Sequence, residues 1–276
     1  MTRPIFLLTD FGLTDTYVGI VKSVILSILP TACLVDLTHD IPPQDVRAGA
    51  YALLTVAPYL PTDAIVVAVV DPGVGTDRRP VAAQVDGRTF IGPDNGLLSW
   101  ALATLTAASS PSAGEPTPIR AVVLDHPEVW LPNVSATFHG RDIFAPVAAH
   151  LASGLPLSTI GTPTDTLRSL VLPSVEREAN DGGAVLAARG EVIHVDRYGN
   201  LITNVLAADV PANPVTNVDD FEVRGVAAHY QAGDGPLLAL IGSSGRLEIS
   251  APNASAAAMT GAGVGATVVV TSADAS

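Results

Sequence analysis

The sequence predicts an α/β first domain with a largely parallel sheet, followed by a smaller, mainly antiparallel β domain. Three observations carry that expectation. The run Ile65 to Val70 is apolar without alternation, which suits a strand buried on both faces of a parallel sheet. Strand-like and helix-like stretches alternate from Ile5 to Leu151, the pattern of α/β layers. Beyond Gly183 helix signals become scarce and short apolar runs alternate with Gly-rich turns, as in a small antiparallel sheet or barrel. The segment from Leu155 to Gly183, rich in Pro, Thr, Asp and Gly, breaks the first pattern. The expected organisation is a first domain over residues 1–170, a linker over 171–183 and a second domain over 184–276.

The elements follow in order. Ile5 to Leu8 forms a strand that gives way to a loop at Asp10. Thr14-Asp15 opens a helix in which Asp15 can serve as the cap, with Val21, Val24, Ile25, Ile28 and Leu29 as its apolar stripe. Cys33 to Leu37 is the second strand, and Cys33 reads as a small core residue. His39 and Asp40 lie at its tip, and Asp45 begins a second helix. The central strand then ends at Asp71-Pro72-Gly73, because Pro cannot extend the ladder and Gly permits positive φ. Asp71 therefore sits at the carboxyl end of a strand, where open α/β sheets bind ligands. Val81 to Val85 and Thr89 to Ile91 flank Asp86-Gly87, a hairpin turn signal. Pro93-Asp94-Asn95-Gly96 leads into a helical stretch at Leu97 to Leu102. Ala107 to Pro118 reads as a flexible connection, Ala121 to Leu124 as a strand, and Ile143, Val147 and Leu151 as the inner face of a helix just after His139. In the second domain, strands are expected at Ala184 to Val195, Leu201 to Val205, Phe221 to Val226, Leu237 to Ile241, Leu247 to Ile249 and Ala266 to Val270.

Composition narrows the function. Of 276 residues, 48% are hydrophobic but only 5% aromatic, so the core is mostly aliphatic. The 27 acids outnumber the 14 bases, for a net charge of −13. No basic face is available to neutralise phosphates, which argues against a nucleic-acid partner. The single cysteine excludes an internal disulfide. The opening apolar run is too short for a secretory signal, and no apolar stretch reaches the ~20 residues of a membrane helix. A soluble cytoplasmic protein is expected.

The polar residues at strand tips and breaks are Asp10, His39, Asp40, Asp71, Arg78, Asp94, Asn95 and His139. An Asp and an Arg on one Gly-rich loop can pair across it, or can be an ordinary solvated turn. Several carboxylates and two histidines at one sheet edge permit two chemistries. One is a divalent metal site serving a phosphatase. The other is a metal-free site in which carboxylates grip ribose hydroxyls and an Asp–Arg pair positions water. Spacing does not choose between them. Neither H-E-x-x-H, G-x-S-x-G, the P-loop nor G-x-G-x-x-G occurs.

Seven ordered segments carry a resemblance: L-L-T-D-F-G-L-T-D at Leu7 to Asp15, V-D-L-T-H-D-I-P-P at Val35 to Pro43, and V-V-D-P-G-V-G-T-D-R-R at Val69 to Arg79. They continue as G-P-D-N-G-L-L at Gly92 to Leu98, T-F-H-G-R-D-I-F-A-P at Thr137 to Pro146, D-R-Y-G-N-L-I-T-N at Asp196 to Asn204, and G-S-S-G-R-L-E-I-S at Gly242 to Ser250. Together they resemble the S-adenosylmethionine (SAM) hydroxide adenosyltransferases, the SAM hydrolases, which are relatives of the fluorinases and chlorinases. The resemblance implies attack of water or hydroxide on the ribose C5′ of SAM, releasing adenosine and L-methionine. It implies a catalytic set of Asp71, Arg78 and His139, with Arg79 a rival for Arg78. The halogenases carry Tyr where Asp71 stands and lack the histidine, so halide chemistry is the alternative rather than the leading reading. A SAM or adenosine sensor is the non-enzyme alternative.

The same resemblance implies Asp10 at the ribose hydroxyls, Asp15 near the methionine ammonium and Phe138 near the reaction centre. It implies Tyr198 and Asn200 at the adenine, with Ser243 and Ala254 nearby. A halogenase arginine near the methionine end appears here as Ser244. No metal or organic cofactor is implied, SAM being the substrate. A homotrimer with sites between subunits is implied.

Overall fold

The computed structural model describes residues 2–108, 117–232 and 235–273. The chain divides into two compact units, Met1–Leu170 and Val171–Ser276. Most of the connection expected at Ala107 to Pro118 lies outside the described residues.

The first unit contains, in order, β1 (Ile5–Thr9), α1 (Tyr17–Ile28), β2 (Leu34–Thr38), α2 (Val46–Val56), β3 (Ile65–Val69), β4 (Pro80–Val85) and β5 (Arg88–Pro93). It continues with α3 (Ser99–Ala108), β6 (Arg120–Val123), α4 (Ala145–Ala152) and β7 (Thr162–Thr164). The seven strands form one sheet in the order β2-β1-β3-β5-β4-β6-β7. Every residue of β3 is buried, and its side chains divide by parity. Ile65, Val67 and Val69 enter one core with Val21 and Ile25 of α1 and Val147 and Leu151 of α4. Val66, Ala68 and Val70 enter the other with Leu53 of α2 and Leu102 and Leu105 of α3. This is why the run shows no alternation: both faces are covered by helices. Each such side chain contributes about 1.5–3 kcal/mol by leaving water.

The sheet is mixed rather than largely parallel. β2, β1, β3 and β5 run parallel, while β4 pairs antiparallel with β5 and β6, and β6 with β7. The cause is the Asp86-Gly87 turn. Both residues take positive φ, 47° and 78°, the conformation that closes a two-residue hairpin and reverses the chain.

Three local expectations are corrected. Asp15 does not cap α1; Thr16 occupies the cap position, with no side-chain bond to the helix. Asp45 does cap α2, accepting from the Ala48 N–H at 2.9 Å. Cys33 is exposed rather than in the core, because it precedes the edge strand β2, whose middle residues face outward.

The second unit contains β8 (Glu176–Ala179), β9 (Val185–Val195), β10 (Leu201–Leu206), β11 (Pro214–Val218), β12 (Phe221–Arg224), β13 (Leu238–Ile241), β14 (Arg246–Ser250), α5 (Ala256–Thr260) and β15 (Thr267–Ser272). All its strand ladders are antiparallel, in the order β12-β11-β15-β9-β10-β14-β13, with β8 also on β9. A bridge between Ala227 and Leu240 brings the two ends of that path together, so the sheet nearly closes on itself around Val192, Leu201, Leu247 and Val268. The segment expected as a linker, 171–183, is not purely connective: it supplies β8. That strand is exposed along its whole length, so no apolar pattern announced it.

Candidate active site

Asp71 stands just past β3, at the edge reached by the carboxyl ends of the parallel strands. Asn95 steadies this point by donating from Nδ2 to the Val70 carbonyl at 2.8 Å. The loop after Asp71 turns back tightly, with the Val74 N–H on the Asp71 carbonyl at 3.2 Å and the Thr76 hydroxyl on the Gly73 carbonyl at 2.6 Å. Gly75 takes φ 79°, and a Cβ there would lie 2.2 Å from the Ala136 carbonyl oxygen. Only glycine allows both the backbone turn and this close approach. The contact holds the loop against the segment that leads into His139.

The turn returns Arg78 to Asp71. Arg78 Nε donates to Oδ1 at 3.1 Å and Nη2 donates to Oδ2. Both side chains are 5% exposed, so this is a buried two-point pair. Removing one partner of such a pair typically costs about 3–5 kcal/mol, because the other charge is left bare. Arg78 Nη2 also lies 3.0 Å from His139 Nδ1, and its guanidinium carbon sits 5.6 Å over the Phe144 ring. His139 precedes a π turn, Gly140–Phe144, that runs into α4, and it makes no capping bond. Such turns are often found at functional sites.

Protonation follows from the donors. Arginine keeps its proton and can only donate. His139 Nδ1 is therefore the acceptor, and a neutral ring carries its proton on Nε2. Burial holds the His139 pKa below its ordinary value, and the Arg78 charge lowers it further. Burial pushes the Asp71 carboxyl up, against the pull of Arg78. One polar atom stays orphaned: Arg78 Nη1 is buried and finds no partner among the described residues. A buried donor left unpaired costs about 1–3 kcal/mol. The cluster therefore presents unspent N–H donors beside a carboxylate.

Arg79 leaves the same loop for another partner. It grips Asp94 through Nε, at 3.0 Å, and Nη2, and it reaches the Thr166 carbonyl at 2.8 Å. Of the two arginines, Arg78 is the one that joins Asp71 and His139.

The other expected residues are placed as follows. Asp10 follows β1 beside the β3 tip, its N–H on the Val69 carbonyl at 3.4 Å, and its Oδ2 accepts from the Gln44 N–H at 2.8 Å. Asp15 is exposed on the way into α1. His39 is buried, 2.8 Å from the Thr9 hydroxyl and 3.0 Å from Asp36; it ties β2 to β1. Phe138 packs edge-on against Phe11 and Tyr17, with centroids 5.7 and 5.3 Å away. These three, with Ser135, Thr137 and Arg141, line a cleft of about 420 Å³. Among the described residues no group of three or more His, Cys, Asp or Glu is placed to hold a metal ion.

In the second unit, Tyr198, Asn200 and Ala254 line one cleft of about 650 Å³. The Asp196 carboxylate builds that wall. It accepts from the Tyr198 and Asn200 N–H groups at 2.8 and 2.9 Å and from Asn200 Nδ2 at 2.8 Å. Ser243 is exposed on the turn between β13 and β14 and is not among the residues lining it. Tyr230 also lines this cleft, with its hydroxyl on Glu248 at 3.0 Å and its pKa pushed up to about 12, chiefly by burial. Sequence reasoning missed Tyr230, Phe11, Tyr17, Ser135 and Arg141. Phe11 and Arg141 lie inside quoted segments and could have drawn notice; Tyr17, Ser135 and Tyr230 lie outside them.

The fold and the first unit's cluster define a class: an α/β unit with a buried acid–arginine pair and a half-buried histidine at a strand tip, joined in sequence to an antiparallel β unit. Known proteins share both halves. Residues 5–161 match the model of the SAM hydroxide adenosyltransferase N-terminal domain, and residues 190–269 that of its C-terminal domain. The chain is 44% identical to the (R)-S-adenosyl-L-methionine hydrolase of Thermus thermophilus, over 92% of this chain and 94% of that one. It is 39% identical to the enzyme of the same name from Salinispora tropica, over 92% of each. A fluorinase of Actinoplanes sp. is more distant, 26% identical over 75% of this chain and 73% of that one. The crystal structure of an uncharacterized conserved protein from Thermotoga maritima superposes with a TM-score of 0.81 at 32% identity, over 97% of this chain and 99% of that one. This chain belongs to the SAM hydroxide adenosyltransferase family.

Proposed function

We propose that this protein hydrolyses SAM to adenosine and L-methionine by in-line attack of water or hydroxide on the ribose C5′. The observation that carries the site assignment is Arg78, fixed by Asp71 and His139 while its buried Nη1 donors stay unpaired. Those donors suit an oxygen nucleophile of growing anionic character. His139, neutral with its proton on Nε2, orients that oxygen as a donor rather than serving as the base. Asp71, with its pKa raised by burial, takes the proton. The C5′–O bond forms as the C5′–S bond breaks, and the bonding pair goes to sulfur. The sulfonium leaves as a neutral thioether, so no general acid is required. Charge annihilation of this kind is favoured in a site drier than bulk water.

The remaining assignments belong to the same proposal. Asp10 receives the ribose hydroxyls on its second oxygen, Asp15 meets the ammonium, and Phe138 flanks the reaction centre. Tyr198, Asn200 and Ala254 receive the adenine, with Ser243 nearby. The relatives' names indicate the R epimer at sulfur, and we extend that preference to this chain. The reaction is proposed to need no metal or organic cofactor, since Arg78 supplies the positive charge. A homotrimer with sites between subunits, a cytoplasmic setting and no nucleic-acid or membrane partner complete the proposal. The net charge of −13 supports the exclusion of nucleic acid. Among the described residues no helix is long and apolar enough to cross a membrane.

The test is incubation of EDTA-treated protein with the separated SAM epimers in ¹⁸O-water, followed by mass spectrometry. Adenosine with ¹⁸O at the 5′ position, formed chiefly from the R epimer, is expected. A 5′-halo nucleoside in chloride buffer would indicate a halogenase. SAM bound without turnover would indicate a sensor.

A further inference from the structure

Arg141 is the one charged side chain among the six that line the cleft beside the cluster, and the chemistry above leaves it without a task. It lies on the π turn, two residues past His139. Asp142 holds its guanidinium from behind: Nε donates to Oδ1 at 2.6 Å and Nη2 to Oδ2 at 2.9 Å. The Asp142 side chain is fully buried, whereas that of Arg141 is 34% exposed. Asp142 also accepts from the Ser135 N–H at 2.8 Å, so the anchor is itself fixed. The guanidinium carbon lies 5.2 Å over the Phe138 ring. A half-exposed arginine usually wanders among rotamers, and ordering it costs free energy. Here that ordering is already built in by a carboxylate that would otherwise be a bare buried charge.

Position ties this arginine to the cluster. Gly140 separates His139 from Arg141, and a Cβ on it would lie 3.3 Å from Phe11 Cζ and 3.4 Å from Phe138 Cε2. The π turn is thus seated on the aromatic group that walls the cleft, with His139 on one side of the glycine and Arg141 on the other. The two bonds to Asp142 use Nε and Nη2, which leaves Nη1 for a ligand. A pre-oriented guanidinium over aromatic walls fits a carboxylate attached to an apolar stem.

Resting on the proposed hydrolase reading, we infer that Arg141 binds the α-carboxylate of the methionine tail of SAM. The aromatic walls receive the tail's methylene and sulfonium portion.

The experiment compares SAM with decarboxylated SAM, which differs only in lacking that carboxylate, on the full-length protein and two variants. A hydrogen-bonded charge pair implies a factor of about 10–100. The native protein is expected to show a KM higher by that factor for the decarboxylated compound, with kcat little changed. Arg141→Met should raise KM for SAM by a similar factor and leave that for decarboxylated SAM unaltered, and Arg141→Lys should recover part of the loss. If Arg141→Met does not fold over the bare Asp142, the native comparison and Arg141→Lys carry the test. Equal KM values for both compounds in the native protein would overturn the inference. So would an equal loss on both compounds in Arg141→Met, which would mean that Arg141 only supports Phe138. A native protein that forms no adenosine from SAM would instead defeat the hydrolase reading itself.

Discussion

Arg78 and Arg79 leave one loop in opposite directions, and each grips a buried carboxylate through two nitrogens. Their surroundings then diverge. Arg79 finds Asp94, the Thr166 carbonyl and the Thr164 hydroxyl, and Asp94 spends its other oxygen on the Arg168 N–H at 2.7 Å. This pair ties the 164–168 segment to the sheet and is satisfied. Arg78 finds Asp71 and His139 but keeps Nη1 buried and unpaired. Saturated bonding fits a structural clamp. A residual buried donor is a cost that folding alone does not explain, and it fits a site awaiting a ligand.

The largest expected effect separates the two pairs by type. Asp71→Asn should lower kcat by about 10³-fold, the order expected when a general base or a charge-stabilising group is lost. SAM affinity, measured by calorimetry, should stay within a few-fold. Unchanged turnover would remove Asp71 from the mechanism. Asp94→Asn should act on stability alone. It should lower stability by about 1–3 kcal/mol, seen as a Tm drop of about 2–4 °C per kcal/mol for a chain of this size class, while kcat in the folded fraction holds. A comparable collapse of kcat in Asp94→Asn would dissolve the distinction.

A smaller effect comes with pH. Burial and the Arg78 charge hold the His139 pKa below its ordinary 6.5, so the ring stays neutral at neutral pH and gains its proton below 6.5. Protonation removes the Nδ1 lone pair that accepts from Arg78 and sets two cations side by side. Activity should therefore be flat through neutrality and fall on the acid side, with a midpoint below 6.5. A loss of activity as the pH is raised towards neutrality would instead mean that the ring works as a cation.

The same contrast explains what the sequence made legible. The double burial of β3 could be read from its unbroken apolar run, and Asp71 from the Pro-Gly that follows. Arg78 could be read as a partner for Asp71 across one Gly-rich loop, but its grouping with His139 came through segment resemblance, since 61 residues separate them and no local period links them. The partner of Arg79 was not legible, because Asp94 is brought near by the β4–β5 hairpin. That hairpin was itself visible at Asp86-Gly87, yet its consequence, antiparallel pairing on both sides of β4, lay in pairing order rather than in any residue. Asp15 and Cys33 were misjudged for related reasons. A helix start has several adjacent candidates for its cap, and a short apolar run does not reveal that its strand lies at an edge. Arg141 was invisible as a site residue because its anchor, Asp142, looks like any charged neighbour until it is seen to be buried.

The smallest expected effect is the sharpest test of the comparison. Lysine keeps the charge of arginine but loses the planar fork. Arg78→Lys cannot hold both Asp71 oxygens and His139 while also offering a free donor, so kcat should fall by about 10²-fold or more. Arg79→Lys keeps a cation near Asp94, and its side chain is already 37% exposed, so water can take over the lost bonds. A partly solvated pair of this kind contributes about 1 kcal/mol or less. Arg79→Lys should therefore shift Tm by only a few degrees and leave kcat and KM near native values. If the two lysine variants instead lost turnover equally, the loop would have to act as one rigid unit, and the unpaired donor on Arg78 would no longer distinguish the two arginines.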